Sequence, residues 1–281
     1  MIKLKIRSKG DAVVMLQELL NEFGYSLKAD GIFGMATDLA VRDFQRDNRL
    51  VADGIVYTKT WVKILNRSSV DFISLDKKYL QEDDIVQLAR ELGLEPAIVK
   101  AVNEVESSGR GFTVDGNPKI LFEGHVFWNE LVKRGISPKP LVKGNEDILY
   151  QKWTTKHYRY GKAEYDRLNK AINLIGNNVD VTEAAYAAAS WGLFQIMGYH
   201  FKSLGYQEIV EFVGANQINE GEHLRMFGKF IKVNGLVKYL KAKDWKGFAY
   251  RYNGSAYEKN KYDVKLKKAY EKYASIDKRA E

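Results

Sequence analysis

Near its start the chain repeats itself, and this limits its fold more than composition does. Ala29-Asp30-Gly31-Ile32-Phe33-Gly34-Met35-Ala36-Thr37 returns 23 residues later as Ala52-Asp53-Gly54-Ile55-Val56-Tyr57-Thr58-Lys59-Thr60, matching at Ala, Asp, Gly, Ile and the final Thr. Both copies must build the same local structure. Each Asp-Gly makes a turn, the Ile is expected to anchor that turn in a core, and the Thr to cap or start the helix that follows. Those helices carry Leu39, Val41 and Phe44 in one copy and Trp61, Ile64 and Leu65 in the other. A further helix precedes them over residues 11–25, with Asp11 as its N-cap and Val14, Leu16, Leu19, Leu20 and Phe23 at helical spacing up to Gly24.

The repeat ends near residue 67, and residues 66–80 lose the periodicity, so residues 68–80 read as a linker between a small domain over 1–67 and a larger one over 81–281. A chain of 281 residues is long enough to bury two cores. The second domain opens at the Glu82-Asp83-Asp84 helix start and stays mostly helical in pattern, with Ile85, Leu88, Ala89 and Leu92 on one face. The fold class expected is therefore mostly α. Pro96 fits the first turn of a helix in which Ile98, Ala101, Val102 and Val105 share a face, and Gly109 and Gly111 are expected to end it with φ > 0. Glu106 falls in its last turn, on the border of the buried face. Partial desolvation and the negative end of the helix dipole both raise a carboxyl pKa there, toward the range useful for a general acid. On local pattern alone a solvated Glu is the commoner outcome.

Composition narrows the chemistry. With no cysteine there is no disulfide, thiolate metal site or cysteine nucleophile. The four histidines, His125, His157, His200 and His223, lack metal-ligand spacing, and no glycine loop cradles a phosphate, so no cofactor or metal is expected. The formal charge of +8 favours a polyanionic partner. Nucleic acid would need a recognition motif, and none is present. Residues 1–11 alternate charged and apolar positions without the apolar run of a signal peptide, and no stretch has the length of a membrane span. The expectation is a protein made in the cytoplasm and left there unless something lets it out.

Residues 5–66, with Leu-Gln, Gly-Tyr, the two Asp-Gly-Ile turns and Ala-Val-Arg-Asp-Phe-Gln in order, resemble the three-helix peptidoglycan-binding domain of many wall hydrolases. The resemblance implies that Asp30, Gly31, Phe33, Gly34 and Thr37 form the turn such domains use near the glycan or peptide. Three later stretches are Glu106-Ser107, Ser190-Trp191-Gly192-Leu193-Phe194-Gln195 and Ala249-Tyr250-Arg251-Tyr252-Asn253. They resemble the signatures of the lysozyme-like superfamily of goose-type lysozymes and soluble lytic transglycosylases. With Asp115 to His125 the pattern looks like the N-acetylmuramidase domain of phage endolysins, over about residues 90–275. Phe194 stands where a Met is commonest, and Arg251 separates Tyr250 from Tyr252-Asn253, which weakens the transglycosylase match more than the superfamily match.

The resemblance implies Glu106 as the acid, and glycoside cleavage often uses a second carboxylate. Glu123 is the candidate, with a structural salt bridge as the alternative; Glu104, two residues from Glu106, lies on another helix face. Gln195 and Asn253 could bond acetamido and hydroxyl groups. Tyr252, Trp191 and Phe194 could offer flat surface to sugars, or in the last two cases be core. The expected protein is a monomeric endolysin made in the host cytoplasm. It would reach the periplasmic wall after membrane perforation and hydrolyse the β-1,4 bond between N-acetylmuramic acid and N-acetylglucosamine. Residues 259–281, with eight Lys or Arg against four Asp or Glu, read as a closing helix whose basic face could lean on anionic lipid. The rivals are a lytic transglycosylase leaving 1,6-anhydro ends and a non-catalytic wall binder.

Overall fold

The computed structural model describes residues 2–107, 109–255 and 257–280, so Met1, Ser108, Ala256 and Glu281 of the stretches above lie outside the described residues. The elements in chain order are α1 (Asp11–Glu22), α2 (Met35–Asp47), α3 (Thr58–Arg67), α4 (Phe72–Asp76), α5 (Glu82–Leu92), α6 (Pro96–Glu106), β1 (Ile120–Phe122), α7 (Gly124–Lys133), α8 (Lys162–Ile172) and α9 (Val179–Ala187). There follow β2 (Ala189–Trp191), β3 (Ile196–Met197), α10 (Ile209–Asn216), α11 (Glu220–Val233), α12 (Val237–Lys241), α13 (Trp245–Asn253), α14 (Tyr257–Asn260) and α15 (Tyr262–Ala280). The fold is mostly α, and the strands are two or three residues long. Two compact units divide the chain: Met1–Lys77 with Phe112–Ser190, and Lys78–Gly111 with Trp191–Glu281.

In the first unit the repeat is a repeat of hydrogen bonds. Gln17 on α1 donates from Nε2 to Asp30 Oδ1, the Ile32 carbonyl and Thr37 Oγ1 at 3.2, 3.1 and 3.1 Å, while its Oε1 accepts from Gly31 N at 2.9 Å. Gln45 on α2 does the same to Asp53, Ile55, Thr60 and Gly54 at 3.1, 3.0, 3.1 and 3.0 Å. The two threonines are therefore buried acceptors in the third position of their helices, not caps. The anchoring positions also differ from expectation. Ile32 is 50% exposed, whereas the next residue in each copy, Phe33 and Val56, is fully buried. Leu39 faces solvent too. Asp11 is the first helical residue after an uncapped Gly10, and its carboxylate pairs with Lys119 at 3.0 Å.

The same unit includes residues 112–190, and Val114 sits within the apolar cluster of Leu16, Leu20, Phe33, Phe44 and Trp61. Its backbone N–H donates to Glu18 Oε2 at 3.2 Å. The stretch over 68–80 that the sequence reads as a linker contains α4, capped by Asp71, whose side chain accepts from Ile73 N and Ser74 N.

The second unit is organised around α6. Asp84 accepts from Gln81 N at 3.0 Å and starts α5, Gly93 ends it in the left-handed conformation, and Pro96 opens α6 with a φ already suited to a helix. Helices α5 and α15 pack on α6, and α13 packs on α15. Ser107 leaves the helix in an extended conformation and Gly109 follows with φ 92°. Gly111, expected to share that role, does not have positive φ. A Cβ there would lie 2.6 Å from His223 Nδ1, so glycine is required by close approach.

Candidate active site

Glu106 is the last residue of α6, and its Oε1 accepts a hydrogen bond of 3.1 Å from Asn253 Nδ2, the last residue of α13. Burial pushes its carboxyl from 4.5 up to about 7, against the smaller opposing pull of the Asn253 bond and the Lys265 charge. A carboxyl so placed is protonated in a substantial fraction of molecules at neutral pH yet able to give its proton away, which is what a general acid requires. The amide contributes by direction: it donates to one oxygen and leaves the other for the proton. Glu104 behaves as its different helix face implies. It binds Lys272 Nζ at 2.6 Å and the Tyr273 hydroxyl at 2.7 Å, tying α6 to α15, and those bonds hold its carboxyl below the usual range.

An aromatic wall backs the Glu106–Asn253 pair. Tyr252 stacks on Phe248 at 5.5 Å and meets the edges of Phe227 and Phe230 at 5.6 and 6.1 Å. Its phenol is pushed up by burial and then by the charge of Glu106. Phe194 stacks on Phe227 at 4.4 Å, and Trp191 stands edge-on to Phe212 at 6.4 Å. With 6% and 2% exposure, neither Phe194 nor Trp191 has a face to offer a sugar; both are core that supports the wall. Gln195 is the last residue of the turn joining β2 and β3 and has φ 50°, a conformation costly for a residue with a side chain. Its Nε2 donates to the Gly192 carbonyl at 2.8 Å, closing the turn.

Residues 95–274 match the family model of the N-acetylmuramidases. The chain belongs to the N-acetylmuramidase family. It is a glycoside hydrolase, and residues 9–64 match the model of a peptidoglycan binding domain, so peptidoglycan is its substrate. The crystal structure of Burkholderia AP3 phage endolysin is 37% identical, with a TM-score of 0.66, over 98% of this chain and 100% of that one.

Within this muramidase, Glu123 belongs to the first unit. It precedes α7, accepts from the Tyr158 hydroxyl on Oε1 at 2.5 Å, and places Oε2 3.3 Å from His125 Nδ1. Burial raises its carboxyl, opposed by the Tyr158 bond and the His125 and Arg167 charges. No lysine bridge holds it among the described residues. A fully buried ion pair, Arg167 to Glu164 at 2.8 Å, grips the preceding residue: Phe122 N donates to Glu164 and Phe122 O accepts from Arg167. Gly124 follows because a Cβ there would meet the Tyr150 ring at 2.4 Å.

The proposed wall-binding turn fares differently. Phe33 and Thr37 are buried, at 0% and 2% exposure, Gly31 is buried with its N–H on Gln17, and Gly34 precedes α2. Asp30 is exposed, but its Oδ1 is shared between Gln17 and Ile32 N. These residues build the turn, and Phe33 and Thr37 cannot touch a ligand without opening it.

Sequence reasoning missed His223 and Glu220, both on α11. His223 Nδ1 accepts from Leu193 N at 3.2 Å and Nε2 donates to the Asn216 carbonyl at 2.8 Å, with burial lowering its pKa to about 4. The neutral ring fills the space beside Gly192, where a Cβ would come within 2.8 Å of it. Glu220 accepts from Gly111 N at 2.6 Å and Leu80 N at 2.9 Å. Together they fix the loop after Glu106 and the turn carrying Gln195. Among the described residues no group of His, Cys, Asp or Glu is arranged to hold a metal ion, and no helix is long and apolar enough to cross a membrane.

Proposed function

We propose that this muramidase is an endolysin that hydrolyses the β-1,4 bond after N-acetylmuramic acid, with Glu106 protonating the leaving oxygen. The observation that carries the proposal is the half-buried Glu106 carboxyl, raised to about 7 and oriented by Asn253. Gln195 and Asn253 bind substrate polar groups, and Tyr252 closes the apolar side. The likeness to Burkholderia AP3 phage endolysin over nearly the whole length of both chains supports the phage context. In that setting the chain is made in the host cytoplasm and acts as a monomer on the periplasmic wall once the membrane is perforated. The lysine-rich α15 is then available to anionic lipid.

Glu123 enters as the second carboxylate. Glu123→Gln in a folded chain is expected to slow turnover less than Glu106→Gln; loss of folding instead would make the residue structural. Hydrolysis is favoured over anhydro-ring formation by the departures at Phe194 and Arg251 from the transglycosylase signature. Mass spectrometry of released muropeptides tests it. Reducible ends are expected, and products lighter by one water that resist borohydride would make the enzyme a transglycosylase.

A further inference from the structure

The second unit carries a surface groove of about 550 Å³ that the acid and its partners do not use, its lining including Lys246, Tyr250, Arg251, Tyr257, Glu258 and Asp244, whose carboxylate is engaged in capping α13 through Gly247 N. Tyr250 is 53% exposed and stands edge-on to the buried Tyr257 at 6.1 Å. The Tyr257 hydroxyl donates to Glu258 Oε1 at 2.9 Å. Lys246 and Glu258 are 3.9 Å apart with side chains 73% and 71% exposed. So loose a pair contributes little to stability, and both charges can be re-paired with a ligand at small cost. Arg251 lies over the Tyr239 ring at 4.3 Å, which holds its guanidinium on the groove wall. The groove thus offers an aromatic face, cations and an anion together.

Its position ties it to the acid. Tyr250 and Asn253 are three residues apart on α13, which sets their Cβ atoms about 5–6 Å apart on one side of the helix. Asn253 is the residue that donates to Glu106.

We propose that this groove holds the peptide stem attached to the muramyl residue whose bond Glu106 cleaves; the proposal rests on the muramidase reading of Glu106. The stem carries carboxylates and a free amine on a short aliphatic backbone. Lys246 and Arg251 match the carboxylates, Glu258 the amine, and Tyr250 the apolar backbone. Opposed charges of this kind orient a ligand more than they tighten it. A glycan without stems presents no cation for Glu258, so the groove selects the peptide-bearing residue.

The test uses the full chain on soluble glycan strands with intact stems and on the same strands stripped by an amidase. Wild type is expected to prefer the stem-bearing strands in kcat/KM. Tyr250→Ala and Lys246→Ala, both at exposed positions, are expected to lower that preference by up to about tenfold, the scale of one aromatic contact. A preference unchanged in both variants, or absent in wild type, overturns the groove. Calorimetric titration of a muramyl tripeptide into Glu106→Gln, with and without Tyr250→Ala, reads the same contact without turnover. Its Kd is expected to rise by up to about tenfold in the double variant, and an unchanged Kd also overturns the proposal. If wild type cuts neither strand while tripeptide binding still depends on Tyr250, the muramidase reading fails and the peptide site stands.

Discussion

At the scale of the residue, pH acts through Glu106. The protonated form donates, so kcat/KM is expected to hold below about pH 7 and to fall roughly tenfold per unit above it. A rate profile flat from about pH 6 to 9 would contradict this. Stability is linked to the same proton. A folded pKa of about 7 against an ordinary 4.5 favours the protonated fold, a contribution complete below the ordinary value and lost as pH rises through the folded one. Glu106→Gln is therefore expected to melt above wild type at pH 8, with the gap closing toward pH 4.5, as thermal scans can read. Glu106 was legible because helical spacing and the following glycines mark a helix end. Its partner was not legible as a contact, since Asn253 lies 147 residues away. His223 was invisible as a support for the same reason: a lone histidine on an apolar helix has no local pattern that says which backbone it will hold.

At the scale of the element, the Asp-Gly turns were legible and their wiring was not. A Thr near a helix start reads as a cap, but here each Thr answers a Gln on the preceding helix. The Gln stands 13 residues before Asp30 in one copy and 8 before Asp53 in the other, so no fixed spacing announces it. The Ile positions misled because the turn rotates the following residue inward, so that Phe33 and Val56 fill the core. Each Gln bonds four polar groups in a largely buried network. Gln17→Ala and Gln45→Ala should each destabilise by about 2–4 kcal/mol, since several groups lose partners at once. Chemical denaturation checks this, and a silent variant would show that one network is redundant.

At the scale of the whole molecule, the peptidoglycan-binding segment shares a compact unit and an apolar core with residues 112–190. A fragment of residues 75–281 loses the pocket around Val114, whose burial alone is worth about 1.5–3 kcal/mol, together with the Glu18 and Asp11 contacts. It is expected to melt well below the full chain, in contrast to a module joined by a passive linker; equal melting would contradict this. The repeat marked in sequence the segment that matches the peptidoglycan binding domain but not its packing, because Val114 is one apolar residue in a loop with no periodicity to assign it. The central claim is that one tuned carboxyl drives wall cleavage, and a turbidity assay on purified sacculi addresses it most directly. Full-length Glu106→Gln, shown by circular dichroism to be folded, is predicted to clear the suspension ~10²–10⁴-fold more slowly than wild type. Clearing at the wild-type rate by that folded variant would contradict the account.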